Sequence, residues 1–213
     1  LKTSTQSQFI LYCIAALLIN VIPVVSTPFL YLTTIFHELS HGLAALLTGG
    51  SIVEFALQLN GAGHLVSRGG NQFIITFSGY FGASVWGALL FHSAQHVRVA
   101  KFTLGALLVL FVCTLVVWVS SLVTGLILTL VGLLLLALFK FSSFKGFNHL
   151  VRFISVMVIF NAIYSPSFLL YSDRGDSISL AQQTLIPALV WVFAWMAWGL
   201  FTLYLLFPKQ KKT

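Results

Sequence analysis

Charge is what this chain has least of. Asp and Glu together number 4 in 213 residues, and charged residues of both signs make up only 7%. A water-soluble domain covers its surface with far more ionic side chains, so composition excludes an ordinary soluble fold. Cysteine is equally scarce. Cys13 and Cys113 both sit in apolar runs, which fits small buried hydrophobes and excludes a disulfide framework or a thiolate metal site. The cations outnumber the anions, giving a formal charge of +7. They are scattered over loops and the C-terminal tail, so the excess points to anionic headgroups and membrane orientation rather than to nucleic acid. No internal repeat is visible.

Apolar length is abundant. Hydrophobic residues are 59% of the chain and the mean hydropathy is +1.01. Uncharged runs cover residues 3–37, 69–97, 102–139, 153–172 and 177–208. Each is long enough for at least one helix across a hydrocarbon core of about 30 Å. The expected fold is therefore an all-α polytopic membrane protein, a single integral membrane domain over 1–213. Seven transmembrane helices are expected, with six as the alternative: 9–26, 28–48, 71–92, two spans within 102–139 split at Ser120-Ser121, 150–171 and 184–207. The N-terminal segment is read as an uncleaved first span, not a signal peptide.

With seven spans, Lys2, Arg68 and Arg174 fall on one side, against Arg98, Lys101, Lys140, Lys145, Arg152, Lys209, Lys211 and Lys212 on the other. That bias puts the C-terminus in the cytoplasm and the N-terminus outside.

Residues 51–68 break the apolar pattern. Ser51 to Leu59 reads as a strand, Asn60-Gly61 as a turn and Gly63 to Ser67 as the return strand, giving a small membrane-associated β-hairpin. Such a hairpin could hold an extended peptide by strand addition, with Val53, Phe55 and Leu57 as candidate substrate-binding residues; a plain surface loop is the alternative.

The helix before it, 28–48, opens at Pro28, ends at Gly49-Gly50 and carries His37-Glu38-Leu39-Ser40-His41. His37 and His41 are i and i+4, so both imidazoles leave one face a turn apart and can reach one Zn²⁺ at about 2.0–2.1 Å. Glu38 projects about 100° from the first histidine and can act on water rather than on the metal. This is the H-E-x-x-H pattern of zinc hydrolases. Three ionisable groups in an apolar helix are costly without a compensating partner, and a metal is such a partner.

A catalytic zinc normally has three protein ligands. Beyond Glu38 the acidic candidates are Glu54 on the hairpin and Asp173 and Asp176 in the 171–183 loop; His64 and His149 are further candidates. Asp176 could equally cap the last helix, and Asp173 could pair with Arg174. His92 and His96 read as interfacial.

The chain resembles the site-2-protease family of intramembrane zinc metalloproteases, and most of all its small branch without a PDZ domain. The resemblance rests on His37-Glu38-Leu39-Ser40-His41 with Gly42-Leu43-Ala44 and Leu47-Thr48-Gly49-Gly50. The 61–70 segment ending Arg68-Gly69-Gly70, the run from Gly79-Tyr80-Phe81-Gly82 to Trp86-Gly87, and Gly175-Asp176-Ser177 also match. It implies Zn²⁺ as cofactor, Glu38 as the catalytic base, His37 and His41 as ligands and Asp176 as the third ligand. The Asn-Pro-Asp-Gly-like motif of better-known members is missing, and Asn161 is the nearest polar residue within a span. Asn161 could donate to an oxyanion or join helices.

The implied activity is hydrolysis of membrane-anchored protein substrates within a lipid bilayer, in a bacterial cytoplasmic membrane. The alternatives are a non-proteolytic pseudoprotease that binds membrane helices and, further off, a metal transporter.

Overall fold

A computed structural model describes residues 5–208; the charge positions Lys2, Lys209, Lys211 and Lys212 lie outside them. In chain order the elements are helices α1 (Thr5–Asn20) and α2 (Pro23–Leu47), strands β1 (Ser51–Leu57) and β2 (Gly63–Arg68), and helices α3 (Gln72–Ser93), α4 (Val97–Val117), α5 (Leu122–Lys140) and α6 (Phe147–Tyr164). A 3-10 helix (Ser165–Tyr171), α7 (Asp176–Thr184) and α8 (Ala188–Leu206) complete it.

Among the described residues five segments are long and apolar enough to cross a membrane: α3, α4, α5, α6 with its 3-10 extension, and α8. Helices α1 and α2 reach that standard only as a pair, bent by 110° at their junction, so the count is five or at most six. The expected seven is not reached because the first two spans are one broken element. The six-span alternative agrees with the upper count.

The break between them falls at Val21-Ile22, ahead of Pro23, which occupies the first turn of α2. The motif helix therefore starts at Pro23 rather than Pro28, and Pro28 lies inside it. The hydroxyls of Ser26 and Thr27 donate to the Pro23 carbonyl at 3.2 and 2.6 Å, in the turn that Pro28 disturbs. At the other end Gly49, at φ +85°, allows a Schellman closure, with Gly50 N–H to Ala45 O at 2.8 Å and Gly49 N–H to Leu46 O at 3.2 Å.

The chain then turns into the hairpin. β1 and β2 pair antiparallel from Ser51↔Arg68 to Leu57↔Gly63, with an irregularity at Val53 between Ile52 and Glu54. Its turn is tied to α2: Thr34 Oγ1 donates to Gly61 O at 2.7 Å and the Tyr31 hydroxyl to Leu59 O at 2.9 Å. The outer edge of β1 is closed by the α4–α5 turn. Phe55 N–H donates to Trp118 O and Leu57 N–H to Thr124 Oγ1, both at 3.0 Å.

Phe55 and Leu57, at 1% and 3% exposure, belong to the main apolar core with Phe36, Leu104 and Leu128. α3 packs along α2, with Trp86 stacked on Phe36 at 5.4 Å. α8 clasps the far side of α3, where the indole N–H groups of Trp195 and Trp198 donate to Phe77 O and Phe81 O at 3.1 Å.

Candidate active site

The helical period does to His37 and His41 what their spacing requires: the Nε2 atoms face each other at 3.0 Å. His41 Nδ1 lies 2.6 Å from Ile75 O, and a carbonyl can only accept. That nitrogen therefore carries a proton, and Nε2 is the atom left to face His37 and Asp176.

The third partner comes from α7. Asp176 is its first residue, preceded by Gly175 at φ +121°, ψ −175°, a backbone region open essentially to glycine alone. Asp176 Oδ2 stands 3.1 Å from His37 Nε2 and 3.3 Å from His41 Nε2. Burial pushes this carboxyl up, but His41 and His37 outweigh it and hold Asp176 well below the usual carboxylate range.

These three atoms form a triangle with edges of 3.0, 3.1 and 3.3 Å. Ligand atoms at about 2.0–2.1 Å from a tetrahedral zinc lie about 3.3 Å apart, so the triangle has the size of one face of such a site. Two imidazoles and a carboxylate are also a donor set zinc accepts. The residues present fit the ion.

Glu38 is 3% exposed and receives no hydrogen bond among the described residues. His37, Glu38 and His41 also offer atoms within 4.8 Å of one another. Between Glu38 and Asp176 as third ligand, the shorter distances to both imidazoles favour Asp176 and leave Glu38 free at the wall of the cavity.

That cavity holds about 670 Å³ and is lined by His37, Glu38, His41 and Asp176, by Asn60 to Leu65 of the hairpin, and by Ser165 and Phe168 beyond α6. Two glycines allow the close approach. A Cβ at Gly79 of α3 would sit 2.5 Å from His37 Cε1 and 2.6 Å from His41 Nε2. One at Gly63 of β2 would sit 2.8 Å from Glu38 Oε1.

A family model described as Peptidase M50B-like matches residues 10–206, nearly the whole described chain. The chain belongs to the M50B-like peptidases. Membership in this branch of the site-2-protease family makes it a membrane metallopeptidase by class. No curated protein and no solved structure matches it.

The structure brings together only part of the residues expected from sequence. His37, Glu38, His41 and Asp176 come together, but Val53, Phe55 and Leu57 do not join them. Phe55 and Leu57 are buried in the core, and Val53 sits half exposed at the strand irregularity. The edge on the cavity is β2, through Gly63, His64, Leu65 and Ser67. Asn161 is also a correction: at 5% exposure it spends its amide on Met157 O at 3.0 Å and does not line the cavity.

Among the other ligand candidates, Glu54 accepts from Ser120 Oγ at 3.1 Å, Asp173 is exposed in the loop, and His149 pairs with Tyr12. His64 lines the cavity without joining the triangle. The 171–183 segment is not simply a loop, since α7 begins at Asp176. Tyr80, within the Gly79-Tyr80-Phe81-Gly82 run, joins the site without having been a sequence candidate: its ring lies edge-on to His37 with centroids 4.3 Å apart.

Proposed function

We propose that this chain is an intramembrane zinc endopeptidase that hydrolyses peptide bonds of membrane-anchored proteins. The observation that carries the reading is the triangle of His37, His41 and Asp176 with Glu38 beside it on one cavity. His37, His41 and Asp176 would hold the ion. When bound, zinc supplies Lewis acidity to a carbonyl and lowers the pKa of water toward about 7.

The rest is done by the chain. A substrate segment unwinds and lies along the β2 edge, whose backbone from Gly63 to Ser67 has no hydrogen bond outside the hairpin among the described residues. Glu38 takes a proton from the attacking water as its oxygen bonds to the scissile carbonyl carbon. Glu38 then gives that proton to the amine as the C–N bond breaks. Low exposure of Glu38 keeps this transfer away from bulk water.

The test is zinc per chain in detergent-purified protein, wild type beside Asp176→Ala, with cleavage of a membrane-anchored reporter in liposomes. Near one zinc per chain in the wild type, falling sharply in the variant, and reporter cleavage by the wild type alone are expected. Full zinc in Asp176→Ala removes Asp176 from the ligand set. A zinc-loaded wild type that binds but never cleaves supports the pseudoprotease instead.

A further inference from the structure

We propose that the Tyr80 hydroxyl is the hydrogen-bond donor to the carbonyl oxygen of the scissile bond as that oxygen becomes an anion. The inference rests on the peptidase reading above and adds a residue to it.

Four observations place Tyr80 there. It lines the same cavity as Glu38, His37, His41 and Asp176. Its ring meets the His37 ring edge-on at 4.3 Å, so it is packed directly against the triangle. Its ring also packs against Trp195 at 5.0 Å, and Trp195 is itself pinned by its N–H to Phe77 O at 3.1 Å. Finally, the hydroxyl has no hydrogen-bond partner among the described residues, although its ring packs against both His37 and Trp195. A half-buried phenol in a membrane helix ordinarily finds a partner, and one left free at a reactive cavity is a donor in waiting.

The chemistry needs such a donor. When the water oxygen bonds to the carbonyl carbon, the π pair of the C=O moves onto oxygen, and the water proton goes to Glu38. Tyr80 donates a hydrogen bond to that oxygen and keeps its proton. The pair returns as the C–N bond breaks, and Glu38 delivers the proton to the amine. A preplaced donor aimed at developing charge acts on the transition state more than on the bound substrate. Of the span amides, Asn161 is committed to Met157 O, and Gln72, which lines the cavity, donates to Thr76 Oγ1 at 3.3 Å. The hydroxyls of Thr33 and Thr34 are committed to Phe29 O and Gly61 O.

The experiment is Tyr80→Phe, which keeps the ring between His37 and Trp195 and removes only the hydroxyl. Four readouts are taken on the zinc-loaded full chain: zinc content, kcat for reporter cleavage, calorimetric affinity for a phosphinic pseudopeptide, and affinity of the Glu38→Gln background for an uncleaved substrate peptide, with and without Tyr80→Phe. The phosphinic group carries the tetrahedral anionic oxygen, and the uncleaved peptide does not. Expected are unchanged zinc, unchanged substrate affinity, phosphinic affinity lower by about 10²-fold and kcat lower by a similar factor.

Equal phosphinic affinity in wild type and Tyr80→Phe overturns the proposal while leaving the peptidase standing. Loss of zinc in Tyr80→Phe also overturns it, because Tyr80 then serves to hold His37. A wild type that binds neither zinc nor the pseudopeptide defeats the peptidase reading itself and Tyr80's role with it.

Discussion

Glu38 is the residue whose placement is hardest to explain on structural grounds alone. A carboxylate at 3% exposure with no hydrogen bond costs stability wherever it is charged. Removing its charge should therefore leave the fold intact or firmer while removing the proton carrier. Glu38→Gln is expected to cut reporter cleavage by about 10²–10⁴-fold with zinc per chain unchanged and an undiminished melting temperature. Cleavage near the wild-type rate would take the base role away from Glu38. The histidine pair and Glu38 were legible in the sequence because a helix turns three letters within five residues into a fixed geometry. Choosing Asp176 over Asp173 was not legible from spacing. It depends on Gly175 at φ +121° starting a helix there, a conformation that local composition does not dictate.

Elements, more than residues, decide which surface a substrate meets. The Asn60-Gly61 turn marks 51–68 as two strands, but a turn signal says nothing about which edge is free. The α4–α5 turn, more than sixty residues further along, closes β1 through Trp118 and Thr124 and sends Phe55 and Leu57 into the core. That pairing is non-local and leaves no signature within the hairpin. The contact of α3 on α2 is also decided at this scale. Gly79 lets the two helices close onto the imidazoles, where an added Cβ would meet His37 Cε1 at 2.5 Å and His41 Cε1 at 2.6 Å. Gly79→Ala should push the rings off the triangle at an overpacking cost of about 1–3 kcal/mol. Metal content and a melting curve check it: zinc should fall well below one per chain and the melting temperature should drop. Full zinc with unchanged melting would mean that α3 can retreat freely.

At the scale of the molecule, the number of crossings is fixed by where the two ends of the described chain meet. Gln6 Nε2 donates to Pro208 O at 3.0 Å, so the start of α1 and the end of α8 share one face. Phe9 beside Phe91 and Phe207, at 5.6 and 5.7 Å, says the same. Ends on one face suit an even number of crossings, six with α1 and α2 as one bent span. Arg98, Lys101, Lys140, Lys145 and Arg152 gather toward that face, and Arg68 and Arg174 toward the cavity face. The positive-inside bias then predicts both ends of the described chain on the cytoplasmic side, where the seven-span count had expected the N-terminal end outside.

The check is single-cysteine labelling in a variant with Cys13 and Cys113 replaced by alanine. A membrane-impermeant maleimide should reach Ser172→Cys in intact cells, and Thr5→Cys and Ser143→Cys only after permeabilisation. Thr5→Cys and Ser143→Cys on opposite sides would rule out six crossings. Both reachable from outside, with Ser172→Cys protected, would keep the six crossings and reverse the orientation. The cavity would then open toward the cytoplasm, and the charge bias would have been set by something other than insertion. Because the two failures look different, one labelling series separates how many times the chain crosses from which way round it sits. The second answer decides which side of the membrane receives the released fragment.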